Sequence, residues 1–311
     1  MRTILISTAL AMLPLAACAE DAAPSPPDAT TEPDVLALPG AAYYPESLHA
    51  SPDGTLYVGS LGTGSVVAFA PGVTTPTTIL AGGANGVTGV TGVLVHDDTL
   101  WVCSVDTTFM RPTEVKSFTL AGAPIATFPL PSTAFCNDLA FDPAGALYAT
   151  DSFGGSILRL APGGSAFATW LVDPSLRPAT AGQFGLDGIV SVDDAIFVNK
   201  LDSGGLYRIA RTNGQPGALT PITVSPPLVA PDGMRAVDAH TLLVIEGGHL
   251  TRVAIEGESA TATKISGDLD MPTSVVVARG AAWISEGQLG RLFAQPSQAP
   301  VLPFSVRRVD L

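Results

Sequence analysis

CNDLAFDPAGALYATDSFGGSILRL, residues 136–160, reads as three short strands separated by two turns. Asp142-Pro143-Ala144-Gly145 is the first turn, Tyr148 sits in the second strand, and Gly154-Gly155 marks the second turn. The same pattern is written six times, at a period of about 45 residues. The other copies are PESLHASPDGTLYVGSLGTGSVVAF from Pro45, VTGVLVHDDTLWVCSVD from Val90, LDGIVSVDDAIFVNKLDSGGLYRI from Leu186, PDGMRAVDAHTLLVIEGGHLTRVAI from Pro231 and PTSVVVARGAAWISEGQLGRLF from Pro272. Each second strand carries one large residue: Tyr57, Trp101, Tyr148, Phe197, Leu243 or Trp283. A repeat of this length made of strands predicts an all-β fold, a six-bladed β-propeller.

The repeat also predicts where the chemistry lies. The first strand of a propeller blade lines the central channel, so equivalent residues at its start form a ring. Those residues are Glu46, Thr91, Asn137, Asp187, Asp232 and Thr273. Asp-Gly pairs are ordinary turn signals, and Pro52-Asp53-Gly54 occupies such a turn. Asp187-Gly188 and Asp232-Gly233 instead fall at the start of the inner strand, in the slot of Glu46 and Asn137. Oxygen donors of mixed charge suit a hard cation such as Ca²⁺, whereas Zn²⁺ would call for His or Cys. Three recessed carboxylates repel one another and resist ionisation, a cost that one divalent cation removes.

The 311 residues are 46% hydrophobic and 14% charged, with a formal net charge of -13 and no basic run, so a nucleic-acid partner is not expected. A core of this size suits one large domain, expected as a monomer. The fold is expected over residues 34–311. Residues 1–17, with Arg2 and an apolar run from Ile4 to Leu13, read as an export signal too short for a lasting membrane span. Leu15-Ala16-Ala17-Cys18 resembles the lipobox of bacterial lipoproteins, which implies lipidation of Cys18. Residues 18–33 are rich in Ala, Pro, Ser, Thr, Asp and Glu and read as a disordered tether. Ala19 after the lipidated Cys points to the outer membrane, at its periplasmic face or surface. Cys103 and Cys136 are either a disulfide or two buried thiols; the sequence leaves both open.

Two further points bear on the site. Ala81–Val90 and Pro174–Gly185 are long connections leading into inner strands, expected as pocket walls or a lid. The sixth copy ends at Leu292 with its outer strand missing, which residues 35–38 or 304–309 would supply. No Gly-x-Ser-x-Gly, His-Glu-x-x-His or Cys-x-x-Cys motif occurs, and the glycines of residues 82–92 are followed by no Lys-Ser/Thr, so no P-loop. His49, three residues after Glu46, is expected to turn away from the channel.

The segments PES at Pro45, NDLAFDPAGALYATDS at Asn137, LDGI at Leu186 and PDGM at Pro231 resemble the family of senescence marker protein, gluconolactonase and luciferin-regenerating enzyme, with paraoxonases more distant. The resemblance spans about residues 35–311. It implies a metal-dependent hydrolase of a small-molecule lactone or ester at the top of the channel. It also implies one divalent cation, Ca²⁺ foremost, on Glu46, Asn137, Asp187 and Asp232. Asp232 inherits the role of general base, and Asn137, Phe135, Thr91 and Thr273 are the expected substrate contacts. Members often have Asn at the position of Asp187. Sugar-lactone enzymes carry Arg where this chain has Phe135, which favours a more apolar substrate. Ser47, where paraoxonases have an acid, implies a single metal. The alternative is a non-catalytic propeller lipoprotein that binds a partner around a structural metal.

Overall fold

Strand β1 (Val35–Ala37) is followed by the first antiparallel meander, β2 (Pro45–Ala50), β3 (Leu56–Ser60), β4 (Val66–Phe69) and β5 (Thr77–Leu80). The second is β6 (Gly89–His96), β7 (Thr99–Val105), β8 (Glu114–Thr119) and β9 (Pro124–Pro129). The third is β10 (Cys136–Phe141), β11 (Leu147–Asp151), β12 (Ser156–Leu160) and β13 (Ala168–Val172). The fourth is β14 (Leu186–Val192), β15 (Ala195–Lys200), β16 (Leu206–Thr212) and β17 (Gln215–Ser225). The fifth is β18 (Pro231–Asp238), β19 (Thr241–Glu246), β20 (His249–Glu256) and β21 (Ser259–Ser266). The last is β22 (Pro272–Ala278), β23 (Ala281–Glu286) and β24 (Ser305–Val309), with a one-turn helix α1 (Leu289–Leu292) between β23 and β24. The fourth and fifth meanders join into one eight-stranded sheet because their outer strands β17 and β21 pair in parallel. This computed structural model describes residues 32–108, 110–131 and 133–311. The expected signal segment 1–17, the lipidated Cys18 and the tether up to residue 31 lie outside the described residues.

Local chemistry sets the strand ends. Asp97-Asp98 and Asn213-Gly214 both have positive φ at two successive residues, the geometry of tight hairpin turns whose twist matches the flanking strands. In the Pro52-Asp53-Gly54 turn, Asp53 Oδ1 accepts from Ser51 Oγ at 2.5 Å and from Thr55 N at 3.0 Å.

The meanders stack face to face in a cycle. One cluster packs Leu94 and Phe128 of the second meander on Leu139 and Leu147 of the third. Another packs Leu48 and Phe69 of the first on Val276 and Trp283 of the last, which closes the cycle. The inner strands follow suit: β2 packs against β6, β6 against β10, β10 against β14, β14 against β18, β18 against β22, and β22 against β2. Each inner sheet face is therefore buried on both sides, and the strands read as near-continuous apolar runs. This is the architecture of a β-propeller.

The last meander corrects the sequence reading. The stretch QLGRLF is not its third strand. Gln288 takes a left-handed backbone conformation, and its side chain both donates to Val301 O and accepts from Val301 N at 2.8 Å. That clasp turns the chain into α1 and an insertion running to Phe304. The third strand is then β24, and β1 pairs along its outer edge. Both termini complete the last sheet, with β22 as its inner edge and β1 as its outer edge.

Candidate metal and substrate site

Every inner strand is irregular near its start. The pairing register shifts between Pro45 and Ser47, Val90 and Val93, Cys136 and Leu139, Leu186 and Ile189, Pro231 and Met234, and Pro272 and Ser274. The six predicted ring residues lie inside these six bulges. A bulge leaves its extra residue out of the ladder and re-aims its side chain, which is how strands otherwise committed to packing present polar groups to the channel. The glycines that follow three ring residues have a separate cause. A Cβ on Gly92 would sit 2.7 Å from Asn137 O, one on Gly188 2.9 Å from Asp232 O, and one on Gly233 2.8 Å from Thr273 O. Gly lets each bulge press against the next inner strand, so Asp187-Gly188 and Asp232-Gly233 are packing features and not turns.

Glu46, Thr91, Asn137, Asp187 and Asp232 line one pocket of about 170 Å³. Asn137 Nδ2 donates to Asp187 Oδ2 at 3.1 Å, and Gly233 N donates to Asp232 Oδ1 at 2.9 Å. The charge of Asp232 acts on Asp187 across this pocket. Asp187 Oδ1 is buried without a hydrogen-bond partner. Thr91 borders the pocket, but its hydroxyl donates to Cys136 O at 2.7 Å. Thr273 lies outside the lining, its hydroxyl 3.1 Å from Pro45 O and 2.9 Å from Ser285 Oγ.

The acids resist ionisation. Burial, then Asp232, Asp187 and Asp138, pushes Glu46 well above the ordinary carboxylate range, with Arg235 opposing. Asp187 is raised by burial and by Asp232, and burial lifts Asp232 to about 7. A proton or a cation must therefore stand among them at neutral pH. Among the described residues no three His, Cys, Asp or Glu are already grouped as a metal cage. The donor set still fits a hard cation: it is all oxygen, and it contains one buried carboxylate oxygen with nothing bound to it.

Beneath the acids lies a feature the motif reading passed over. Arg235 Nη1 reaches Asp138 Oδ2 at 2.8 Å, and both residues are buried. Asp138 shares the bulge of Asn137 and also accepts from Ile189 N at 3.4 Å. The signal was present: beyond the ring residues Asn137 and Asp232, the inner-strand runs CNDLAF and PDGMRAV each hold one further charge, Asp138 and Arg235. His49 differs from expectation. The bulge at Glu46 shifts the alternation, and His49 borders a second pocket beside Arg235 and His96, at the far ends of the inner strands. Its Nδ1 accepts from Val95 N at 3.2 Å. Burial first, then Arg235, pushes its imidazole down to about 3. His96 is stacked on Phe141 with ring centroids 4.0 Å apart.

Above the acids the walls are apolar. Phe135 lines the pocket with Leu61 and Val105. Of the two long connections, Pro174–Gly185 supplies Phe184, while Gly86 and Thr88 of the other border a neighbouring pocket that holds Arg111. The insertion after β23 adds Leu289, Gly290 and Phe293. Cys103 and Cys136 form a disulfide, tying β7 to β10 immediately before Asn137.

A propeller with this site has many counterparts in shape. Neither a family profile nor a curated protein matches the sequence. Among solved structures, the chain is similar to the major allergen Mala s 1 of Malassezia sympodialis, with 12% identity over 89% of this chain and 96% of that one and a TM-score of 0.70. It is similar to luciferin-regenerating enzyme, with 14% identity over 89% and 95% and a TM-score of 0.64. It is similar to virginiamycin B lyase of Staphylococcus aureus, with 12% identity over 89% and 98% and a TM-score of 0.60. At these identities the likeness is one of fold. Luciferin-regenerating enzyme is one of the proteins whose motifs the sequence resembles.

Proposed function

We propose that the chain is a six-bladed β-propeller hydrolase of a small lactone or ester, using one divalent cation, Ca²⁺ foremost, held by Glu46, Asn137, Asp187 and Asp232. The observation that carries this reading is a floor of three acids in one pocket, Glu46 and Asp187 buried and Asp232 half-buried, with Asp187 Oδ1 unpartnered. A bound cation supplies a Lewis acid for the carbonyl oxygen and its developing negative charge. Asp232 accepts the proton of the attacking water. Asn137 and Asp187, bonded to each other, orient the group being attacked. Phe135, with no Arg in its place, favours an apolar substrate.

The rival reading, a non-catalytic scaffold, calls for a mouth closed by protein. Pro174–Gly185 forms a wall and not a plug, which supports the enzyme. The disulfide supports export to an oxidising compartment. With it goes the proposal of a lipoprotein anchored through Cys18 to the outer membrane by its lipid, the remainder acting as a monomer. Cys18→Ser is expected to leave unprocessed precursor or to release the protein from membranes.

The deciding experiment is a lactone and ester panel assayed with Ca²⁺ and with chelator. Turnover lost in chelator and restored by Ca²⁺ supports the proposal. Cation binding by calorimetry with no turnover of any panel member favours the scaffold.

A further inference from the structure

The upper half of the pocket is built by segments that the repeat does not contain. Phe135 precedes the third inner strand, Phe184 comes from the connection before the fourth, and Leu289 and Phe293 come from the insertion after β23. These rings form one cluster with Phe153. Centroid separations are 4.8 Å for Phe135–Phe153, 5.4 Å for Phe135–Phe184, 5.1 Å for Phe153–Phe184 and 6.5 Å for Phe184–Phe293. All lie in the range of favourable aromatic contact.

Each segment is fixed from behind. Phe135 N donates to Asp151 Oδ1 at 2.9 Å. The connection carrying Phe184 is held by Lys200 Nζ, which donates to Ser175 O at 3.2 Å and Arg177 O at 2.7 Å, and by Gly185 N, which donates to Ser152 O at 3.0 Å. The insertion is held by the Gln288–Val301 clasp. The roof is preformed, so little ordering is left for a ligand to bring about.

Size and polarity then select the ligand. About 170 Å³ is close to the roughly 150 Å³ of an engineered apolar cavity that takes up benzene. Several hydroxyls facing these walls would be buried without partners, because the charged and amide groups are gathered on the floor, Thr91 is already engaged, and Thr107 is the one other side-chain hydroxyl on the lining. We infer that the ligand of this pocket carries one ring-sized apolar group, gripped by Phe135, Phe184 and Phe293 above the acids, and that polyhydroxylated ligands are rejected. The inference deepens the proposed hydrolase reading and depends on it only for the reacting carbonyl.

Two sets of probes separate the two readings. In calorimetry on the whole chain, benzyl alcohol is expected to bind saturably and glycerol not at all. Phe184→Ala and Phe293→Ala should each weaken benzyl alcohol by roughly 3-fold to 10-fold. Phe293 is partly exposed, so its variant carries the test should Phe184→Ala fail to fold. In turnover, kcat/KM for benzyl acetate should exceed that for methyl acetate by about 10-fold to 200-fold. 2-Naphthylmethyl acetate should fall below benzyl acetate and recover in Phe293→Ala. Equal binding of benzyl alcohol and glycerol overturns the inference, as does a folded pair of variants with unchanged affinity. Benzyl alcohol binding without turnover of any ester upholds the ring site and overturns the hydrolase.

Discussion

Arg235 and Asp138, 97 residues apart in sequence, meet across the channel at 2.8 Å directly below the acidic floor. The pair links the third and fifth inner strands and places a positive charge that opposes the raised pKa of Glu46. Removing one partner leaves a buried charge unpaired. Asp138→Asn or Arg235→Met alone should cost about 3–5 kcal/mol in denaturant unfolding, and the double variant markedly less. Additive losses, with the double variant costing the sum of the two singles, would show that the pair is incidental.

The cation-free protein should lose stability as pH rises. Asp232 moves from 3.8 to about 7, and Glu46 and Asp187 move the same way, so the folded state binds more protons than the unfolded chain across that window. The contribution of Asp232 is complete below 3.8 and gone above about 7, and those of Glu46 and Asp187 are lost in the same direction. His49 opposes it. Its pKa falls from 6.5 to about 3, so its contribution is present above 6.5 and is lost as pH falls towards 3. Melting temperatures in chelator for the wild type, Asp187→Asn and His49→Gln separate the two terms. Asp187→Asn should flatten the loss towards neutral pH, and His49→Gln should ease the loss at acid pH.

Added Ca²⁺ should raise the melting temperature, and more so as pH increases, because the ligands must give up their protons. Asp187→Asn keeps an amide oxygen and should bind more weakly without losing the site. Calorimetry with no heat for any divalent ion in the wild type would refute the cation.

Asp232→Asn keeps a ligand oxygen and loses the base. On the best panel substrate kcat should fall by about 10²–10⁴ with cation binding retained. Phe135→Arg should leave cation binding intact and shift preference towards anionic lactones. A wild-type rate in Asp232→Asn removes Asp232 from the mechanism.

The disulfide closes a separation of 33 residues and ties the strand that carries Asn137. Cys103→Ala with Cys136→Ala should cost about 2–4 kcal/mol of stability. Reductant should lower the wild-type midpoint to that of the double variant; a wild type indifferent to reductant would show that the thiols are free.

The sequence alone determined what depends on near neighbours. Alternating apolar strands and turn residues located the meanders, and their period aligned Glu46, Thr91, Asn137, Asp187, Asp232 and Thr273 in one slot. Five of those six meet at one pocket, because a repeated unit bulges at a repeated place. What breaks the repeat was not legible. QLGRLF has the composition of a strand, and only Val301, thirteen residues beyond Gln288, turns it into a helix and a roof. Which terminus closes the ring, whether two cysteines bond, and that Asp138 finds Arg235 all depend on groups brought together after the chain has circled the channel. The aromatic walls depend on the same thing. Phe135, Phe184 and Phe293 share no spacing in the chain, and only the closed ring makes them neighbours.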